Sequence, residues 1–450
     1  MKRRDFLKAL SVPTLAGVGI NTLMSELQTS QAASSDYKAL VCIFLAGGND
    51  GHNTLVPTDA AYSDYANARP ILALPKDSLI AQNGSSAGHT FGLHPGLAPL
   101  ATLYNQQRLA WIANVGPLVV PSTGKQVIEK SVAIPPYLMS HSDQTAMQQG
   151  WGGDFDQTGW AGRGLELMPA AYQNKLSAVT TSSDRTLVLG KSSSVSFMSP
   201  NGARYWGRAD LASPQGYWAQ ALNNMAKLQF SNQYEAEYAR TLDLSVSEST
   251  LLTQVFLKAV EPKGSFASDD LATRLRSLAS VLPAFKSMGF KRQVFLINWG
   301  GFDTHYGQRG SDARTQDAQL AVLGKAVSAF DTSIQAAGMD LDVTTFAMSD
   351  FGRTLRPASG AGSDHAWGNH WFVMGGAVAG GQVLGQFPSL VLGGPEDGDP
   401  GRGGRHVPTT STDQVGASLM KWLGLSETQF TNVFPNLNNF TQKTIPIFKT

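Results

Sequence analysis

The sequence predicts an α/β fold in which helices sandwich a mostly parallel sheet. Short apolar runs end abruptly at glycine or polar residues, as buried strands of a parallel sheet do. These runs occupy residues 37–45, 109–115, 293–298 and 343–348. Between the last two, apolar residues recur at spacings of three and four over residues 320–334, which predicts an amphipathic helix. Strand, helix and strand at this spacing form a βαβ unit with a right-handed crossover.

The rest of the chain supplies further elements. Residues 95–107 are predicted to form a helix, and short apolar runs predict strands at 371–374 and 389–392. Val415, Leu419 and Trp422 share one face of a predicted helix near the C-terminus. Residues 215–287 are helix-like and rich in polar side chains, so we expect a helical insertion or cap within a single domain that spans residues 33–450.

The N-terminus has the features of an export signal. Arg3 and Arg4 precede an apolar run at residues 9–20 that is too short to span a bilayer, and small residues surround Ala32. We expect residues 1–32 to be a twin-arginine signal peptide, read by the twin-arginine export machinery, that directs the folded protein to the periplasm or the exterior. The alternative is a basic amphipathic helix. No later apolar stretch predicts a stable membrane span.

Composition excludes several classes of function. The 35 basic and 34 acidic residues nearly cancel, so no basic surface for nucleic acid is expected. The single cysteine, Cys42, rules out an intrachain disulfide, and we expect a buried, inert thiol in the first strand. A redox protein is disfavoured because the sequence has no cysteine cluster, haem-attachment motif or dinucleotide fingerprint.

Polar clusters follow or adjoin predicted strand ends, where parallel α/β sheets bind ligands. They occupy residues 47–53, 140–143, 300–305 and 349–354, the last continued by 363–370. Five of the eight histidines lie in these clusters, namely His52, His141, His305, His365 and His370. Imidazoles and carboxylates that converge on a sheet edge favour a divalent-metal site.

Each cluster also has an ordinary structural interpretation. Residues 47–50 fit a tight turn whose Asn and Asp side chains bond their own backbone, and residues 303–305 fit a similar turn with a surface histidine. Residues 349–350 fit a helix cap, and Ser140 fits a cap in place of a nucleophile. The pattern of residues 364–370 favours a site over a structural role.

At these clusters the sequence resembles the domain of unknown function 1501 family, a bacterial group that often carries a twin-arginine signal. The similar stretches, in order within residues 38–436, are FLAGGNDG (44–51), GGFDTH (300–305), SDFGRT (349–354) and SDH (363–365). This family is similar to the alkaline phosphatase and sulfatase superfamily. The resemblance implies a mostly parallel sheet between helices, with a two-metal centre at its edge.

The resemblance also implies the ligands of that centre. They are Asp50, Asp303, His305, Asp350, Asp364, His365 and His370. Asp303 and His305 correspond to the first metal site, and Asp50 and Asp350 to the second. His365 or His370 corresponds to the last histidine, with Asp364 in support. The implied cofactors are divalent ions: Zn, Mn, Ca or Mg.

The implied reaction is metal-assisted hydrolysis of a phosphate or sulfate ester, whose small-molecule or polymeric identity stays open. Ser140 or a bound water would attack, and Arg353 would clamp the anion or merely cap a loop. Two departures from the superfamily stand out: Phe351 takes the place of a histidine, and residues 303–305 hold their ligands closer together than usual. The alternative is a catalytically degenerate periplasmic binding or assembly protein, with residues 215–287 as its interaction surface.

Overall fold

The computed structural model of the protein describes residues 36–150, 157–200, 202 and 216–450. The predicted signal peptide lies outside these residues. None of the helices in the described part of the chain is both long and apolar enough to cross a membrane.

The strands are short, and the longest are fully buried along most of their length, as the apolar runs predict. Their bounds are β1 Lys38–Ala46, β2 Leu55–Pro57, β3 Ile80–Ala81, β4 Phe91–Leu93, β5 Leu109–Gly116, β6 Ala178–Thr180, β7 Ser196–Phe197, β8 Arg292–Gly300, β9 Val343–Ser349, β10 Asn369–Met374, β11 Val383–Leu384 and β12 Thr410–Ser411.

The helices begin at side-chain caps in several cases, such as Thr315, which accepts a hydrogen bond from the backbone N–H of Ala318. Their bounds are α1 Tyr62–Ala68, α2 Ala98–Asn105, α3 Gly124–Ile128, α4 His141–Gln149, α5 Trp160–Glu166, α6 Tyr217–Ala226, α7 Gln233–Leu257, α8 Asp270–Ser287, α9 Gln316–Ala336, α10 Thr412–Leu423 and α11 Phe430–Val433.

Nine of the described strands form one mixed, mostly parallel sheet. Its order is β11-β5-β10-β9-β1-β8-β6-β7, and β12 also pairs with β5. Only β10, among the described strands of this sheet, runs antiparallel to its neighbours β5 and β9. The predicted mostly parallel α/β architecture is therefore confirmed. Strands β2, β4 and β3 form a separate small antiparallel sheet.

The side chains of β1 alternate between two hydrophobic cores, one on each face of the sheet. Val41 and Ile43 belong to the core that packs against α2, α8 and α9. Leu40, Cys42 and Phe44 belong to the core covered by α5, α10 and α11. Helices thus cover both faces, which explains why β1 is apolar at every position after Lys38. Cys42 is fully buried, as expected.

Two details differ from the sequence expectations. Residues 389–392 form no strand, because this segment closes into a loop in which the Ser389 backbone N–H donates to the Glu396 carboxylate at 3.0 Å. Residues 217–287 contain the helices α6, α7 and α8, but α8 is not peripheral: Leu271, Leu275 and Leu278 are fully buried in the core shared with α9.

The carboxyl ends of β9, β1 and β8 lie side by side because these strands are parallel and in register. Leu45 of β1 is paired with Trp299 of β8 on one side and with Ser349 of β9 on the other. The three loops that follow these strands therefore start at one edge of the sheet. This edge carries three of the four polar clusters.

Candidate metal centre

The loop after β1 forms a cradle for one carboxylate. Gly47 and Gly48 adopt φ angles of +113° and +79°, in the left-handed region that favours glycine. A Cβ on Gly47 would lie 2.5 Å from the backbone nitrogen of Asp303, so no side chain fits there. The turn aims both glycine N–H groups at Asp350, whose Oδ1 accepts them at 3.1 and 2.5 Å.

Three imidazoles converge on one carboxylate oxygen at this edge. The Nε2 atoms of His305, His365 and His141 lie 3.0, 3.2 and 3.5 Å from Asp303 Oδ1. The Nε2 atoms of His305 and His365 are 2.9 Å apart. We call these four residues the metal cluster. Three nitrogens and one oxygen in so small a volume suit a tetrahedral divalent ion such as Zn²⁺.

The opposite ring nitrogen of each of these histidines faces a second group. His141 Nδ1 lies 2.6 Å from Asp350 Oδ2, and His365 Nδ1 lies 2.8 Å from the Met139 carbonyl oxygen. His305 Nδ1 lies 3.8 Å from Asp364 Oδ1. Metal-binding histidines commonly donate their other N–H to a carboxylate or carbonyl, which fixes the ring and its tautomer.

The residues present therefore fit a metal ion. His141 Nε2 is buried and has no hydrogen-bond partner within the described part of the chain, and it faces the cluster. Candidate ligand atoms of His141, Asp303 and His365 all lie within 4.8 Å of one another, and so do those of His305, Asp364 and His365. The two groups share His365, so the donor atoms form one compact centre.

Arg353 lies beneath the cluster and has no solvent-exposed side-chain surface. Its Nη2 donates to Asp303 Oδ1 at 2.6 Å and to the Phe302 carbonyl oxygen at 3.0 Å. Its other nitrogens donate to the carbonyl oxygens of Gly48 and Ser363 at 2.7 and 3.0 Å. Arg353 therefore ties the loops together and is not placed to clamp a substrate.

Local charges set the protonation of the cluster. Burial by itself would raise the pKa of Asp303, but the Arg353 guanidinium outweighs it and lowers that pKa to about 2. The hydrogen bond to Asp350 raises the pKa of His141. Burial lowers the pKa of His365, which favours the neutral imidazole that a metal requires.

Phe351 packs against two of the histidines, whose own ring centroids lie 4.4 Å apart. Its ring centroid lies 4.6 Å from that of His141 and 4.5 Å from that of His365, and the side chain is fully buried. An apolar ring thus fills the position where the resemblance places a histidine of the second metal site. This packing favours one ion over two.

Four of the predicted ligands lie outside the four-residue cluster. Asp350 and Asp364 face the outer ring nitrogens of its histidines, whereas Asp50 and His370 have other partners. Asp50 is fully buried and pairs with Arg69, and Gln308 donates to its Oδ2 at 2.6 Å. A guanidinium, not a metal, balances the Asp50 charge. His370 lies on β10, where its Nδ1 accepts the Asn114 backbone N–H at 3.0 Å. These contacts give both residues structural roles and correct their assignment as ligands.

Ser140 is the N-terminal cap of α4. Its hydroxyl accepts a hydrogen bond from the Asp143 backbone N–H at 3.5 Å and donates to the Asp143 carboxylate at 2.5 Å. The structure thus shows the capping role that the sequence left open as an alternative to a nucleophile.

His141 is the cluster residue that sequence reasoning missed. It immediately follows Ser140 and precedes Asp143 by two positions, so it shares the histidine–aspartate proximity of the other clusters. That signal is present in the sequence, but the superfamily pattern places a nucleophile at Ser140 and assigns no role to the histidine beside it.

The chain belongs to the family described as "Protein of unknown function (DUF1501)", whose pattern matches residues 37–396. This match confirms the resemblance to the domain of unknown function 1501 family. A comparison with curated proteins finds no match.

Solved structures give weak likenesses. The lipoteichoic acid synthase LtaP from Listeria monocytogenes is 10% identical, with a TM-score of 0.34 over 88% of this chain and 74% of that one. The PsFucS1 sulfatase from Pseudoalteromonas sp. is 8% identical, with a TM-score of 0.35 over 95% and 74%. The phosphonate monoester hydrolase SpPMH from Silicibacter pomeroyi is 9% identical, with a TM-score of 0.32 over 87% and 73%. At these scores the likenesses assign no residue role to this chain.

Proposed function

We propose that this protein is a metal-dependent hydrolase whose centre holds a single divalent ion. The observation that carries the proposal is the convergence of three Nε2 atoms on Asp303 Oδ1, with the Nδ1 atoms of His141 and His365 held by Asp350 and by the Met139 carbonyl oxygen. Three imidazoles and one carboxylate favour Zn²⁺ and accommodate Mn²⁺, whereas Ca²⁺ and Mg²⁺ prefer oxygen ligands.

Such an ion would activate a bound water and polarise the reacting ester. The chain's own residues divide the remaining tasks. Asp350 orients the His141 ring through Nδ1, and the Met139 carbonyl oxygen does the same for His365. Arg353 keeps Asp303 ionised, because its charge lowers the pKa of that carboxyl. The Ser140 hydroxyl is engaged by Asp143, so we assign the attack to water.

The second candidate function is a binding or assembly protein on a scaffold that has lost catalysis. Two observations favour it: Phe351 fills the position of a second-site histidine, and Arg353 has no exposed surface with which to hold a substrate. Under this alternative, the cluster would bind an ion without turnover.

Metal analysis tests the proposed centre, which both candidate functions require. Protein purified without chelator should contain about one equivalent of a divalent ion, and His365→Ala should remove most of it, because the variant loses the ligand shared by both groups of donor atoms. His89→Ala is the matched control, since His89 pairs with Asp59 elsewhere. Metal content that is unaffected by His365→Ala would refute the proposed centre.

Activity assays decide between the hydrolase and the binding protein. The metal-loaded protein should hydrolyse at least one class among aryl phosphates, aryl sulfates and aryl carboxylates, and the His365→Ala variant should not. A protein that retains its ion and turns over none of them, but holds a stable partner in a pull-down, would favour the binding or assembly role.

We also propose that the protein is exported by the twin-arginine route to the periplasm or the exterior. The proposal rests on the paired Arg3 and Arg4 and on the short apolar run that follows them. Replacement of both arginines by lysine should retain the protein in the cytoplasm of a host with this route, as judged by cell fractionation. Unchanged export of the double variant would contradict the proposal.

A further inference from the structure

We infer that the centre acts on uncharged carboxylic esters and not on phosphate or sulfate esters. This inference rests on the proposed hydrolase function and names its substrate class. It departs from the class that the superfamily resemblance implies, and its basis is the electrostatics of the residues around the metal cluster.

The cation nearest to the cluster, Arg353, already uses its hydrogen-bond donors within the protein, so it cannot also bind a substrate anion. The Arg353 guanidinium donates to Asp303 and to the carbonyl oxygens of three loops, and its side chain is fully buried. Turning it toward the solvent would break these hydrogen bonds and leave Asp303 without its counter-charge. An anionic group at the cluster therefore gains no bidentate contact from Arg353.

The next cation, Arg405, is also engaged in ion pairs. Arg405 Nη2 lies 3.6 Å from Asp364 Oδ2, and its Nη1 lies 3.3 Å from Asp399 Oδ2, with about a tenth of the side chain exposed. The carboxylates at this edge are Asp303, Asp350 and Asp364. Within the described residues, the lysine or arginine side chains that form ion pairs with them are Arg353, which pairs with Asp303, and Arg405, which pairs with Asp364.

The balance of charge at the cluster is close to zero once an ion binds. The carboxylates of Asp303, Asp350 and Asp364 outnumber the one guanidinium of Arg353 by two, and a divalent ion cancels that difference. Arg405 and Asp399 cancel each other. Phosphoryl and sulfuryl transfer gather negative charge on non-bridging oxygens and need dedicated cations to offset it. This site supplies only the ion.

Hydrolysis of an uncharged ester needs fewer cations at the site. In its hydrolysis, the oxygen of water bonds to the acyl carbon, the bond from that carbon to the alcohol oxygen breaks, and one proton passes from the water to the departing alkoxide. The products are a carboxylic acid and an alcohol. One ion that polarises the carbonyl and activates the water is sufficient for this reaction. The solvent-exposed half of the Asp303 carboxylate leaves room for such a group.

Two measurements on the metal-loaded protein test the inference. The first compares kcat/KM for matched nitrophenyl acetate, phosphate and sulfate, and we expect the acetate to exceed both anions by about 100-fold or more, the usual cost of a missing charge-stabilising group. The second is calorimetry with inorganic phosphate, which should show no specific binding. His365→Ala corrects the acetate rate for hydrolysis unrelated to the centre.

The Asp364→Asn variant tests whether the lack of a free cation is what prevents phosphate binding. This variant removes the charge of one of the two carboxylates that pair with Arg405, while Asp399 stays. Phosphate binding that calorimetry does not detect with the unsubstituted protein should then become measurable, because Arg405 can make a charge-assisted contact with the anion. Faster turnover of phosphate or sulfate than of acetate, or specific phosphate binding by the unsubstituted protein, would overturn the inference and leave the hydrolase proposal intact. A bound ion with no turnover of any ester would overturn both, and a protein without an ion would do the same.

Discussion

Two groups of three histidines in this protein differ in where their ring nitrogens point. In the metal cluster, three Nε2 atoms face one carboxylate oxygen, and solvent reaches part of every ring. In the second group, formed by His52, His370 and His406 and here called the interior histidines, the rings are almost completely buried. His52 and His406 meet edge to face, with centroids 5.0 Å apart.

The interior histidines lack the organisation of a metal site. His52 Nδ1 and both ring nitrogens of His406 have no hydrogen-bond partner in the described residues. Burial lowers the pKa of His370 to about 3 and that of His406 to about 4, and it holds the pKa of His52 well below its usual value. These rings are neutral packing groups, so a high density of histidine is not enough to bind a metal. A shared carboxylate and fixed opposite nitrogens are also needed.

The largest effect is expected when the buried ion pair of Arg69 and Asp50, which lies beside the interior histidines, is disrupted. Arg69→Met would leave Asp50 charged and unpaired in a fully buried site. We expect a loss of about 3–5 kcal/mol in the free energy of unfolding, measured by urea denaturation. The double variant Arg69→Met with Asp50→Leu should recover much of this loss, and folded protein of either kind should keep its metal. Loss of the ion from the folded double variant would return Asp50 to the list of ligands.

A change beside the metal cluster should have a smaller effect, and this effect should be on metal binding and not on folding. Asp350→Asn weakens the group that orients His141 through Nδ1 but leaves all three Nε2 donors and Asp303 in place. We expect metal affinity to fall about 10–100-fold, measured by competition with a chelator. Asp59→Asn is the matched control, because Asp59 forms a similar pair with His89 away from the cluster. Equal affinity losses in the two variants would show that the Asp350 contact has no special role.

The last prediction concerns pH and the interior histidines. Their folded-state pKa values lie below the usual 6.5, so between pH 6.5 and about 4 the unfolded chain takes up protons that the folded protein does not. Lowering the pH in this window therefore favours unfolding, by about 1.4 kcal/mol per pH unit for each histidine that titrates only when unfolded.

Urea denaturation across this window measures that slope. His406→Gln should reduce it by one histidine's share, even though Arg69 and Asp397 also act on the charge of His406. The metal cluster would oppose the trend only for His141, whose pKa is raised. A slope that His406→Gln leaves unchanged would mean that the interior histidines do not control acid stability.

Sequence reasoning located the sheet and its functional edge because both depend on local patterns. Apolar runs bounded by glycine identify β1, β5, β8 and β9, and polar clusters after strand ends identify Asp303, His305 and His365. The same reasoning placed Asp50 and His370 with the ligands, because their partners lie far away in the chain: Arg69 and Gln308 for Asp50, and the Asn114 backbone for His370.

The limits of sequence reasoning therefore lie in side-chain pairing and not in chain topology. His141 lies 209 positions from Asp350, the residue that orients it, and no local pattern reports that contact. The absence of a strand at residues 389–392 has a similar cause, since a short apolar run becomes a strand only when a neighbouring strand offers it hydrogen bonds.

The hydrogen bonds of Arg353 have a consequence for when the protein could acquire an ion during its synthesis. This one side chain joins the loop after β1, the loop after β8 and the segment that ends in His365. While residues 363–365 are still inside the ribosome, the chain lacks the His365 imidazole. It also lacks the Ser363 carbonyl oxygen that accepts a hydrogen bond from Arg353. The proposed ion could therefore bind with its full set of ligands only after residue 365 has left the ribosome, which makes metal loading a late step in the maturation of the chain.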